Sequence, residues 1–274
     1  MRAIRAVIFL FIILAFSITS SYSEEKKLKL GLGSRITPKE NIKVYRDIVS
    51  YLAKKTGWKV ELVQTSSYVT MNKLLEKGKV DVAFICTGAF KKGVEQGWVE
   101  ALATPVINGQ PYYYAYLIAR PESKAKDILD LKGKSFAFTD PLSLTGFILP
   151  ADVLKRKRIG YRDFFSTTMF TRSHDRSIVA VARGIVEAAT VDSLVFDHYI
   201  KMHSEIASRV KIIKKYGPFP SPPLASSRSI DREIKAMIQI LFLQMNKDDE
   251  GRSILRNLGI DYFVIPEKDF YKRV

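Results

Sequence analysis

The residues best placed for chemistry in this chain sit in short polar segments between apolar runs. In residues 139–146, Ser143 and Thr145 put two hydroxyl donors at the mouth of an apolar helix, and Gly146 leaves its backbone approachable. The free amides and dipole of such a helix start attract an anion without any Lys or Arg. The same residues also serve as ordinary N-caps. Ser173-His174-Asp175 heads another helix, where Ser173 or Asp175 can cap and His174 is either a ligand contact or a satisfied structural residue. Thr87-Gly88 follows an apolar run and again pairs a hydroxyl with open backbone; Cys86 beside it reads as a small core residue rather than a nucleophile. Tyr68, after Ser66-Ser67, either donates its phenol to an anion or packs. Asp192, just past residues 188–191, is an acceptor for a protonated ligand oxygen or an amine, or the N-cap of residues 193–203.

Other chemistries lack their residues. There is no G-x-x-x-x-G-K-[ST] phosphate loop, no nucleophile elbow and no paired-His spacing for zinc, and Gly31-x-Gly33 lacks the third glycine of a dinucleotide site. One cysteine rules out an intramolecular disulfide framework, and three histidines leave little for a metal centre. The expectation is no cofactor, no metal and no enzyme. Within 274 residues, 47% are hydrophobic and 11% aromatic, which excludes disorder and allows one large domain or two lobes.

Residues 28–32 read as a strand, and Ile42, Tyr45, Ile48, Val49 and Leu52 recur at helical spacing until Gly57. A strand at 60–63, a helix at 69–75, a strand at 80–85 and a helix at 89–96 continue a βαβαβα order, the mark of a mostly parallel sheet between helices. A second block follows: strand 112–119, a helical turn at 128–131, strand 135–138, helix 145–158, strand 169–170, helix 175–183, strand 188–191, helix 193–203 and strand 210–213. The chain enters it near 103–111 and leaves near 217–223, both rich in Gly and Pro. The helical remainder, 234–244 and 252–258, has no sheet of its own and is expected to return to the first block. The reading is an α/β protein of two lobes, residues 24–108 plus 219–274 and residues 109–218, with a cleft between them and hinges in the crossings. Ligands of open α/β sheets bind at the carboxyl ends of strands, where all the polar segments above fall.

Residues 1–23 read as a signal peptide. Arg2 and Arg5 precede an apolar run at 6–16, which is short of the about 20 residues of a membrane span, and Ser21 and Ser23 suit a peptidase. No later segment is long and apolar enough to span. Export to the periplasm changes the meaning of a net charge of +16: nucleic acid is not an expected partner, and the scattered Lys and Arg form a solvated surface that steers anions inward.

Six segments together resemble the periplasmic phosphate/phosphite/phosphonate-binding proteins of ABC importers, a branch of the type II solute-binding proteins. They are GKVDVAF running into Thr87-Gly88-Ala89-Phe90; DILDLKGK leading to Asp140-Pro141-Leu142-Ser143-Leu144-Thr145-Gly146; Ser173-His174-Asp175; AATVDS ending at Ser193; Pro222-Pro223-Leu224; and residues 251–258 before Ile260 and Phe263. The resemblance implies a two-lobed type II fold with two mixed sheets flanked by helices. It implies an oxyanion loop at Ser143, Leu144, Thr145 and Gly146, with His174 touching the same group. It also implies that Tyr68 closes from the first lobe, Thr87 faces the loop and Asp192 meets the ligand's other end. The family loop is usually Ser-Thr-Ser-Gly, and a tyrosine is frequent where Phe90 stands, so Leu144 and Phe90 bear on which anion fits. The implied ligand is a small phosphorus oxyanion and the implied partner a membrane ABC permease, for a monomeric binding protein. A related branch senses ligands for receptor kinases or cyclases. An exported enzyme using His174 and Asp192 as base and orienter is a further reading, unsupported by any nucleophile or cofactor motif.

Overall fold

A computed structural model of the chain describes residues 26–33 and 38–273. The expected signal peptide at 1–23 lies outside the described residues. The first lobe opens with β1 (Lys27–Leu32), α1 (Pro38–Thr56), β2 (Lys59–Gln64), α2 (Tyr68–Glu76), β3 (Val82–Phe84), α3 (Thr87–Glu95) and β4 (Val99–Val106). The chain then builds the second lobe from β5 (Tyr112–Ala119), a turn at Ile128–Leu131, β6 (Ser135–Phe138), α4 (Leu149–Arg156), α5 (Tyr161–Phe164), β7 (Thr167–Phe170), α6 (His174–Ala182), β8 (Ala188–Asp192), α7 (Ser193–Met202), α8 (Ser204–Ala207) and β9 (Lys211–Pro220). It returns to the first lobe with β10 (Leu224–Ser227), α9 (Arg232–Gln244), α10 (Asp249–Leu258), β11 (Tyr262–Val264) and a final turn at Phe270–Arg273.

The first sheet runs β11-β4-β10-β3-β1-β2 and the second β7-β6-β8-β5-β9. Each is mixed. β1 pairs in parallel with β2 and β3, while β10 is wedged antiparallel between β3 and β4. β6 pairs in parallel with β7 and β8, and β5 antiparallel with β8 and β9. Helices bury their apolar stripes against these sheets: Ile48, Tyr51 and Leu52 of α1 join Ile238 and Phe242 of α9 on Leu28, Leu30 and Phe84. In the second lobe one face of the sheet packs on Ile178, Val181, Val195 and Phe196, and the other on Leu154, Phe164 and Phe165. Burial of such apolar area is the main favourable contribution to each lobe.

The α/β class and the helix-flanked sheets are as the sequence reads; three strands are not. β4 was hidden because Glu100, Thr104 and Pro105 break the alternation of a strand pattern. Pro105 is tolerated because it lies past Ala103, the last residue that pairs with β10. β10 and β11 have four and three residues and too few β-formers to signal themselves; they form because β3 and β4 offer edges. The C-terminal part is therefore not purely helical. β9 also runs on through Gly217 and Pro218 to Pro220 instead of ending at 213. The helix expected from residue 145 begins as a widened π-turn, Leu144–Ile148, before α4. Pro150 at the head of α4 has no N–H to bond four residues back, and the wider turn absorbs that loss.

The two crossings between lobes lie at 107–111 and 221–223. Tyr271 ties the second crossing to the strand that leads into the first: its hydroxyl donates to the Ser221 carbonyl and lies 2.8 Å from Thr104 Oγ1 of β4.

Candidate anion-binding site

Because β7, β6 and β8 are parallel neighbours, their carboxyl ends lie side by side and the loops leaving them converge. Ser143 and Thr145 come from the first loop, Ser173 and His174 from the second, Asp192 from the third. All are buried. His174, the first residue of α6, is the hub. The backbone N–H of Asp192 donates to its Nδ1 at 3.2 Å, and Thr139 Oγ1 lies 3.2 Å from the same atom. An amide can only donate, so Nδ1 is the acceptor and the ring hydrogen sits on Nε2. Nε2 then faces Ser143 Oγ at 3.4 Å as the donor. Behind the ring, the Thr171 and Ser177 hydroxyls, 2.6 Å apart, continue the network inward.

Ser143 N-caps the π-turn by accepting from the Gly146 N–H at 3.0 Å. With Nε2–H and that amide on its two lone pairs, the hydroxyl keeps its own proton for donation. Thr145 Oγ1 is fully buried and has no hydrogen-bond partner among the described residues. Ser173 Oγ, at the N-cap of α6, is in the same condition. Each orphaned hydroxyl costs about 1–3 kcal/mol unless something accepts from it. The amides of Leu144 and Thr145 start a helical turn and have no intrahelical acceptor to reach. This corner therefore offers a cluster of donors, backed by helix dipoles and suited to a multi-oxygen anion. Gly146 is required here, since a Cβ at that position would run into the Thr139 side chain.

The first lobe meets this corner at the carboxyl ends of its own strands. A Cβ on Gly88, in the first turn of α3, would lie 2.5 Å from the Leu142 carbonyl oxygen and 2.8 Å from the Leu144 nitrogen, so the two lobes touch backbone to backbone. Asp140 bridges the seam: Oδ1 accepts from Leu142 N–H at 2.9 Å and Oδ2 from Tyr68 N–H, at the head of α2, at 3.3 Å. Tyr68, Cys86 and Ala89 then form an apolar cluster with Tyr113 and Leu144, flanked by Leu142, Leu194 and Phe219.

The structure thus brings Ser143, Leu144, Thr145, Gly146 and His174 into one corner of the second lobe, with Tyr68 and the Gly88 backbone against it. Thr87 lies at the same seam, but its hydroxyl donates to the Pro220 carbonyl at 3.0 Å, toward a crossing. Asp192 caps α7, its Oδ1 accepting from the Leu194 and Val195 amides. Behind it, burial and then Asp197 push Tyr116 up to about 12, and burial raises the Asp197 carboxyl. Phe90 packs in the first-lobe core with Met71, Leu75 and Val80, its ring 4.7 Å from that of Tyr271. Sequence reasoning passed over Thr139, Asp140, Leu142 and Tyr113 as site residues. The Asp140-Pro141 pair at a strand end was the available signal for the first three; Tyr113 gave none, being one of several aromatics in a strand. Among the described residues no group of three or more His, Cys, Asp or Glu could hold a metal ion, and no helix is long and apolar enough to cross a membrane.

Two mixed α/β sheets, two chain crossings and a donor-lined seam between lobes define a two-lobed type II periplasmic binding protein. The chain belongs to the family described as ABC transporter, phosphonate, periplasmic substrate-binding protein, whose model matches residues 30–271. It is 28% identical over 211 residues to the phosphate-import protein PhnD of Mycolicibacterium smegmatis, a match covering 73% of this chain and 66% of that protein's length. A binding protein component of an ABC phosphonate transporter from Pseudomonas aeruginosa superposes with a TM-score of 0.84 at 23% identity, over 90% of this chain and 84% of the other. PhnD1 from Prochlorococcus marinus, in complex with methylphosphonate, gives 0.81 at 16% identity, over 91% and 96%. At these identities the two structures speak for the fold.

Proposed function

We propose that this chain captures a small phosphorus oxyanion (a phosphonate, phosphite or phosphate) between its lobes and presents the closed form to a membrane ABC importer. The observation that carries the reading is the Thr145 hydroxyl, fully buried and unpartnered beside a Ser143 proton that is free to donate. Ser143, Thr145, the Leu144 and Thr145 amides and His174 Nε2 form the oxyanion corner. Gly146 supports it from within, and Tyr68 and the Thr87-Gly88 backbone close it. Asp192 positions His174 through its backbone N–H, and its Oδ1 caps α7.

The same geometry argues for binding without turnover. A base–orienter dyad needs an N–H on Nδ1 aimed at a carboxylate, whereas Nδ1 here accepts from the Asp192 amide. Residues 1–23 direct export, so the working protein begins near residue 24 in the periplasm, as a monomer with lobes 24–108 plus 219–274 and 109–218.

The test is calorimetric titration of the protein lacking residues 1–23, stripped of ligand, against phosphate, phosphite, methylphosphonate, 2-aminoethylphosphonate and sulfate. Tight binding of at least one phosphorus oxyanion is expected, and Ser143→Ala with Thr145→Ala should weaken it about a hundredfold, near 2.7 kcal/mol. Unchanged affinity in the double variant would remove the site assignment. Binding of none of the four phosphorus compounds would remove the function.

A further inference from the structure

We infer that Leu144 sets the ligand class: phosphorus oxyanions whose remaining substituent is small and uncharged, a hydrogen or a short alkyl group, in preference to aminoalkyl phosphonates. The inference rests on the oxyanion reading above. Ser143 and Thr145 flank Leu144 in one π-turn, so an anion held by their hydroxyls lies within side-chain reach of Leu144. The Leu144 side chain, unlike its amide, adds no donor. It is buried against Tyr68, Cys86 and Ala89 of the first lobe and Tyr113 of its own, so a substituent projecting there meets hydrocarbon and aromatic rings, with the two phenol oxygens as the polar side-chain atoms of that cluster.

Two further observations limit that substituent. The lobes are in backbone contact beside this residue, where Gly88 faces the Leu142 carbonyl and the Leu144 amide, so little length is accommodated there. Two buried carboxylates at the site are already engaged on amides: Asp140 through both oxygens by Leu142 and Tyr68, and Asp192 through Oδ1 by Leu194 and Val195. An ammonium group arriving here would be desolvated against a largely apolar wall whose phenol oxygens carry no charge to balance it, and it would compete with those amides for the carboxylates, a costly arrangement. A methyl group or a P–H bond makes no such demand. Selectivity then comes from rejection as much as attraction.

The experiment compares methylphosphonate, phosphite and 2-aminoethylphosphonate by calorimetry on the native protein and on Leu144→Ser and Leu144→Ala. In the native protein, methylphosphonate or phosphite should bind at least about thirtyfold more tightly than 2-aminoethylphosphonate. In Leu144→Ser the ratio should fall to about threefold, chiefly through weaker binding of the uncharged ligand, with Leu144→Ala intermediate. Equal affinities in the native protein would overturn this inference while leaving the oxyanion reading intact. A native preference that survives both substitutions would remove Leu144 as its cause. Failure of all three compounds to bind while phosphate binds would overturn this inference, and failure of phosphate as well would sink the oxyanion reading itself. The native ratio needs no variant, so the inference stays testable even if Leu144→Ser folds poorly.

Discussion

The two halves of the cleft are built on opposite plans. The second lobe presents hydroxyls, a histidine and helix-start amides, and holds them with its own hydrogen bonds: Thr139 and Asp192 N–H on His174 Nδ1, His174 Nε2 on Ser143, Gly146 N–H on Ser143. The first lobe presents a bare glycine, a small cysteine and alanine, and the ring of Tyr68, and meets the second mostly by contact. In the proposed site the donors on one side are held by hydrogen bonds within a single lobe, so parting of the lobes would leave them in place. The other side contributes only when the lobes close. Preorganised donors spare the ligand the cost of ordering them, and contact across the seam links occupancy to closure.

The comparison breaks most visibly at Gly88. A Val there has no space beside the Leu142 carbonyl when the lobes are closed, and the three nearest atoms its Cβ would meet all belong to the second lobe. Gly88→Val should lower ligand affinity by about a hundredfold or more while leaving the melting temperature of the ligand-free protein within about 2 °C. Scattering should show an open form that ligand no longer compacts. A variant that binds normally would mean that closure does not need the Gly88 contact.

Thr139 probes the other half. Thr139→Val keeps the shape but removes the hydroxyl that donates to His174 Nδ1 and lies 3.5 Å from the Ser177 hydroxyl. The loss is internal to the second lobe, and the Asp192 amide still holds the ring. Stability of the ligand-free protein should fall by about 1–2 kcal/mol, read as a drop of a few degrees in Tm, and affinity by only about threefold. A large affinity loss without destabilisation would contradict the pre-assembled corner.

Much of this was legible in the chain because the second lobe encodes its corner locally. Ser143, Thr145, Gly146 and His174 are loop and cap residues whose types state their chemistry within a few positions. The first lobe's part is not local. Gly88 matters because of a carbonyl more than fifty residues away, and Asp140 because its carboxylate reaches the head of α2. Asp192 shows the same limit from the other direction: as a strand-end carboxylate it offered two roles, and only the fold shows Oδ1 on the α7 amides and the backbone on His174. The short strands β10 and β11 depend likewise on edges supplied by β3 and β4 rather than on their own four and three residues.

The smallest effect belongs to the first lobe far from the seam. Asp248 caps α10 and accepts from the Tyr51 hydroxyl of α1 at 2.8 Å, with Lys55 3.3 Å away. The Gly251 amide first, then Tyr51 and Lys55, outweigh partial burial and hold its carboxyl below the usual carboxylate range. A carboxyl with a depressed folded pKa stabilises the fold above its unfolded pKa, and that contribution fades as pH falls through the folded value. Asp248→Asn keeps the capping oxygen and discards the charge, so it should cost only a few tenths of a kcal/mol at neutral pH and nothing at acid pH, where the native carboxyl is protonated too. Melting curves of the two proteins should therefore converge as pH drops, while calorimetric affinity for the ligand stays equal at neutral pH. Unequal affinity there would mean that the α1–α10 contact is mechanically coupled to the cleft, and that the first lobe does more than supply a surface for closure.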